Sequence, residues 1–244
     1  MKIGNKAMSK NDFYINANPR EDLELQLPDG RTITGRRGAP LKDFLALLKK
    51  EDGPLIVGAV LDGQLRELTF PVQRDGVLRP LSIQDEDGAR IYRRSLIFLL
   101  EVAFRDLFPD AFVTIDHSMS SGGYFCQVEN KLGFSEQDLS QLEARMRSLV
   151  AEDIPFIRET VPLAEAVEHF KAMGEDDKVR LLKYRQRPDL VLYRGLNTRD
   201  YHHGYMVPSS GYLCTFGLQW LGDASFILRF PRRGTPNQLT KMVS

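Results

Sequence analysis

The stretch from Leu23 to Gly35 constrains the fold more than any other in the chain. Leu23, Leu25 and Leu27 alternate with Glu24 and Gln26, and a period of two places the three leucines on one face of a half-buried strand. Pro28-Asp29-Gly30 supplies a tight turn, and Arg31-Thr32-Ile33-Thr34 returns as the second strand of a hairpin. Pro40 suits the first turn of a helix whose apolar face is Phe44, Leu45, Leu47 and Leu48. Gly53-Pro54 ends that helix. Short apolar runs through Leu55–Val57, Ala59–Leu61, Leu65, Leu68, Phe70, Val72, Val77, Leu78, Leu81 and Ile83 then predict further strands, up to the acidic turn Asp85-Glu86-Asp87-Gly88. A hairpin, a helix and more strands within residues 21–86 describe a small α+β domain with its own core.

The pattern then changes. Leu96, Leu99, Leu100, Ala103, Phe104 and Leu107 recur at helical spacing, predicting a long helix from Ala89 to Phe108 that Pro109 stops. Two strands follow, Phe112–His117 and Gly123–Glu129, joined by Ser118-Met119-Ser120-Ser121-Gly122. Ser135 and Asp138 have the spacing of a capping box, opening a helix to Glu152 with Leu139, Leu142, Met146 and Leu149 inward. After Ile154–Thr160, a helix from Pro162 to Gly174, a short helix over Lys178–Tyr184 and antiparallel strands from Asp189 to Pro231 complete a second domain, 87–231. Residues 1–20 read as a flexible arm, and 232–244 as a polar tail or the start of a linker.

Lys plus Arg and Asp plus Glu each number 33 in 244 residues, which argues against a nucleic-acid binder basic over its whole surface. Two cysteines, Cys126 and Cys214, point to a reducing compartment. Both lie in strand-like runs where cysteine acts as a small buried hydrophobe, as Tyr124, Phe125, Phe134, Trp220 and Phe226 are expected to be core. The longest apolar stretch, Leu96–Phe104, is broken by Glu101 and falls short of the ~20 residues that span a bilayer. A cytoplasmic protein with no membrane partner is expected.

LPDGRTITG, the helix PLKDFLALL and VGAVLDGQLRELTFPV resemble a TGS domain, the β-grasp module at the front of threonyl-tRNA synthetase. RRSLIFLLEVAF, SGGYFCQV and YHHGYMVPSSGYLCTFGLQWL resemble that enzyme's editing-type domain, with helices on an antiparallel sheet. YRRSLIFLL, GGYFCQV and GYMVPSSGYL look closer still to the same domain pair ahead of a P-loop kinase in uridine kinase-like nucleoside kinases.

Hydrolytic editing domains of this type carry a helical His-x-x-x-His and a later Cys-x-x-x-His, able to hold zinc or position water. Laid on those motifs, Arg94 and Phe98 stand for the helical pair, His202 for the cysteine and Met206 for the last histidine. Arg, Phe and Met cannot serve as bases near neutral pH, so no catalytic residue and no metal site are expected. His117, His202 and His203 with Cys126 or Cys214 lack zinc-ligand spacing. Arg94, His117, His202 and His203 are the candidate ligand pocket, with a small anionic or nucleotide-like ligand in view.

The resemblance implies a non-catalytic, ligand-sensing or regulatory module. No G-x-x-x-x-G-K-[ST] loop occurs in the chain, so ATP and Mg belong only to a covalently linked kinase domain not contained in it. Two alternatives stand beside this: a free-standing aminoacyl-tRNA editing hydrolase with a rearranged site using His202 or His203, and an RNA-binding adaptor using the basic edge Arg31, Arg36, Arg37 and Lys42.

Overall fold

The leucine alternation does what its period requires. In a computed structural model describing residues 20–48, 53–119 and 122–239, β1 (Asp22–Gln26) and β2 (Thr32–Arg36) form an antiparallel hairpin pairing Leu25 with Ile33. Gly30 turns it at φ +84°, a backbone conformation open to glycine. α1 (Leu41–Ala46) lays Leu41, Phe44 and Leu45 on that face, buried with Leu23, Leu25 and Ile33. Gly35 lets the helix come this close, since a Cβ there would lie 2.4 Å from the Phe44 ring. β3 (Ile56–Leu61), β4 (Gln64–Arg66) and β5 (Gly76–Ser82) complete a mixed sheet, order β2-β1-β5-β3-β4, in which β1 and β5 run parallel.

The long helix begins earlier than its apolar spacing predicts. α2 spans Glu86–Leu107, so the acidic run is its first turn rather than a turn before it. Asp85 flanks that end, its carboxylate accepting from Ser82 N and Oγ, and Glu86 and Asp87 lie where the helix dipole favours negative charge. Gly88 is required by contact, because a Cβ there would lie 1.8 Å from Ser82 O. α2 therefore starts hard against β5, and Val57 and Ile83 join its core.

β6 (Phe112–Met119), β7 (Gly123–Glu129), β11 (Gly217–Gly222) and β12 (Ser225–Arg229) form an antiparallel sheet in the order β11-β12-β7-β6. α2 and α3 (Glu136–Glu152) share its core, with Leu96, Leu100, Phe104, Leu142, Met146 and Phe226 buried. The predicted capping box is present: Asp138 N donates to Ser135 Oγ and Ser135 N to Asp138 Oδ2. β8 (Ile157–Pro162), β9 (Asp189–Gly195) and β10 (Thr198–Asp200) form a third sheet, order β10-β9-β8, covered by α4 (Leu163–Ala172) and α5 (Asp176–Leu182) around Phe170, Leu190 and Leu192. The architecture is the expected α+β, a mixed sheet followed by antiparallel sheets with helices.

Several expectations need correcting. Leu47, expected on the apolar face of α1, caps that helix and is exposed, and Leu68, Phe70 and Val72 lie outside the named strands, between β4 and β5. Cys214 is exposed and lies outside any strand, its thiol directed at Gly211 O. Tyr124, Phe125 and Trp220 are only partly buried; on β7 the inner position goes to Cys126, and Phe125 stacks on His117 instead. The segment between β10 and β11 is not strand but a loop closed by a 3-10 turn, Ser210–Tyr212. The expected arm falls outside the described residues apart from Arg20, as do Ser120, Ser121 and residues 240–244. Among the described residues no helix is long and apolar enough to cross a membrane.

Candidate functional site

The loop after β10 is strapped across the middle of α2. Ser95, wholly buried, donates from Oγ to Ile91 O, one turn back, and accepts from Val207 N at 2.9 Å. A serine normally weakens a helix interior by such back-bonding; here its hydroxyl also satisfies a buried backbone donor of the loop. Arg94 Nη1 donates to Tyr205 O at 2.6 Å, and Gly204, at φ +110°, leaves room for the guanidinium that a Cβ would meet at 2.8 Å. Arg94 is thus half-buried and spent on a backbone carbonyl, with burial pulling its pKa down.

The same strap carries His202 onto α2. Its ring meets the buried Phe98 edge-on at 5.4 Å, and its Nε2 lies 2.8 Å from Glu101 Oε2. Burial alone would lower the His202 pKa. The charge and hydrogen bond of Glu101, with Asp200 nearby, outweigh it and hold the imidazole above its ordinary value. Phe98 and Met206 are core side chains, 0% and 1% exposed, so two of the four positions matching the editing motifs are filled by packing rather than chemistry.

Beyond His202 the charges alternate. Asp200 accepts from Lys178 Nζ at 2.6 and 2.7 Å, Lys178 also pairs with Glu175, and Glu175 accepts from Arg105 at 2.8 Å. The order Arg105, Glu175, Lys178, Asp200, His202, Glu101 balances when the imidazole is protonated, which is what the carboxylates favour. Glu101, Asp200 and His202 offer ligand atoms within 4.8 Å of one another, the one such group among the described residues. This is where a cation could be held, although Lys178 already pairs with Asp200 and His202 Nε2 engages Glu101. The network borders a cleft of about 380 Å³ lined by Glu101, Glu175, Asp176, Asp177 and Asp200 against Arg105 and Lys178.

The four residues expected to share a pocket do not share one. Arg94 and Glu101, the partner of His202, lie two helical turns apart along α2, and Arg94 is engaged separately by Tyr205 O. His117 is on the exposed face of β6, beside Asp116 and stacked on Phe125. His203 is exposed. Neither cysteine joins a ligand group: Cys126 is fully buried, which pushes its thiol up to about 12. Arg90 pairs with Glu86 and Asp87 as a solvated face would, and Arg194 and Arg199 are taken up by Glu159 and Glu165. What sequence reasoning missed is Glu101, read only as a charge interrupting an apolar run. The available signal was its place seven residues after Arg94 and three after Phe98, on the same helical face.

Comparison with known proteins bears on this geometry directly. No family model matches the chain. Threonine–tRNA ligases do: that of Polaromonas naphthalenivorans is 35% identical over 208 residues, covering 82% of this chain and 33% of the relative. The Acidithiobacillus ferrooxidans enzyme is 34% identical over 211 residues, 82% and 32% respectively. The Polaromonas sp. (strain JS666) enzyme is 30% identical over 208 residues, again 82% and 33%. The chain is a relative of threonine–tRNA ligases over one third of their length. The similarity belongs to their N-terminal TGS and editing region, and no link to a nucleoside kinase emerges from it.

Proposed function

We propose that the chain is a recognition module that holds the aminoacyl end of a charged tRNA without hydrolysing it. The observation that carries this reading is the Glu101–His202 pair. A general base must be unprotonated and within reach of a water, and the one imidazole lying at an editing-motif position is largely enclosed, its Nε2 engaged by the Glu101 carboxylate, which raises its pKa. The neighbouring cleft has an excess of carboxylates, which suits the α-ammonium group of an aminoacyl ester better than a phosphate. The kinship with threonine–tRNA ligases supports tRNA as the source of such an ester. Amino-acid activation, which belongs to the whole of those enzymes, is no part of the proposal.

The test is binding of threonyl-tRNA bearing a stable amide linkage against the same tRNA uncharged. Tighter binding of the charged form, weakened by Asp200→Asn, is expected. Equal binding of the two forms would count against the reading.

A second reading keeps the regulatory module of a nucleoside kinase. Its support is the wording of YRRSLIFLL, GGYFCQV and GYMVPSSGYL, together with packing side chains at Phe98 and Met206. It requires a P-loop domain on the same polypeptide, which the mass and peptides of the cellular protein would reveal.

A further inference from the structure

We infer a second site, for a phosphate ester, in the pocket between the start of α2, the facing ends of β6 and β7 (Ser118, Met119, Gly122 and Gly123) and the segment after β12. Its cavity of about 270 Å³ is lined by Tyr92, Arg93, Ser118, Phe230, Arg232 and Arg233 among others, and among the described residues no carboxylate lines it. That sets it apart from the acidic cleft, where carboxylates outnumber cations. Three guanidinium groups converge on one cavity in a chain whose formal charge is zero.

The arginines are arranged for an anion. Arg93 lies over the Phe230 ring, 5.5 Å from its centroid, and its Nε is out of contact with water yet has no hydrogen-bond partner among the described residues. A buried donor left unmade is unusual in a folded protein. No ion pair engages Arg93 or Arg233 among the described residues; Arg233 is positioned by donating Nε to Gln84 O at 2.9 Å. Gly122, at φ +93°, brings backbone against Arg232, with room for a Cβ only at 3.3 Å from its Nε. Guanidinium forks match phosphate oxygens in pairs and shed water more readily than ammonium groups. Ser118 adds a hydroxyl, and Tyr92 and Phe230 give the pocket an apolar side on which a sugar or base can rest. The shared chemistry is a phosphate ester, from a free nucleotide or from an RNA backbone. This site stands apart from the proposed aminoacyl cleft and does not depend on it.

Calorimetric titration of the full chain at low salt tests it, with inorganic phosphate, adenosine monophosphate and a short single-stranded RNA as probes. Adenosine monophosphate should bind, with affinity reduced about tenfold by Arg93→Gln and by Arg233→Gln. Arg93→Lys should recover only part of the loss, since it restores charge without the fork. RNA binding with the same arginine dependence, and none of the mononucleotide, would assign the phosphate to a polynucleotide and still support the site. Failure of all three probes to bind, or binding indifferent to both Gln variants, overturns it; Arg233 is exposed, so its variant reports even where Arg93→Gln does not fold.

Discussion

His202 and Glu101, 101 residues apart in sequence, meet at 2.8 Å on the flank of α2. The contact joins the strap after β10 to the helix that organises the second core. Its consequences can be measured.

The first is a pH dependence of stability. The His202 pKa is raised in the folded chain, whereas an unfolded histidine titrates near about 6.5. The stabilisation is therefore complete below about 6.5 and is lost as pH rises through the folded value. Urea unfolding from pH 5.5 to 8.5 should show wild type losing stability relative to Glu101→Gln as pH rises, and histidine chemical shifts should place His202 above the unfolded value. Parallel curves for the two proteins would contradict the pairing.

Asp200→Ala removes the carboxylate that both oxygens of which bind Lys178. Asp200 is 3% exposed, and breaking a buried pair costs about 3–5 kcal/mol. The cost should fall near the lower figure, about 3 kcal/mol, because Lys178 reaches solvent and keeps Glu175. Chemical denaturation reads it.

Ser95→Ala leaves Val207 N buried without its acceptor. Orphaning such a donor costs about 1–3 kcal/mol. Because the strap is pinned there, amide exchange should quicken around Val207 more than in α3.

Gly88→Ala sets helix propensity against contact. Alanine in a helix is favoured over glycine by about 1 kcal/mol, but the new Cβ would fall 1.8 Å from Ser82 O. Contact should win, with a net loss of about 1–3 kcal/mol as α2 is forced off β5. A gain in melting temperature would show that α2 does not start against β5.

Much of this architecture was legible because it rests on local periodicity. Leu23, Leu25 and Leu27 announced a strand, Ser135 and Asp138 a helix start, and Gly123–Glu129 a strand with the observed ends. The start of α2 was not, because Glu86 and Asp87 look like turn residues until Asp85 is seen bound to Ser82. The site was the least legible part. His202 and Glu101 are brought together by tertiary contact alone, and no spacing in the sequence encodes a pair separated by a whole sheet and three helices. Arg94 was identified as a notable residue, but its partner is a backbone carbonyl, which carries no side-chain signature at all.

The central claim is that the fold of an editing region persists here with its hydrolytic centre closed by Phe98, Met206 and the His202–Glu101 pair. The most direct test is a single-turnover deacylation assay, with the full chain in excess over tRNA charged with threonine or with serine, which carries the same hydroxyl and one methyl less. The account predicts ester loss at the uncatalysed rate for both, unchanged by His202→Ala. Hydrolysis above that rate, abolished by His202→Ala, would contradict it and make the chain an enzyme.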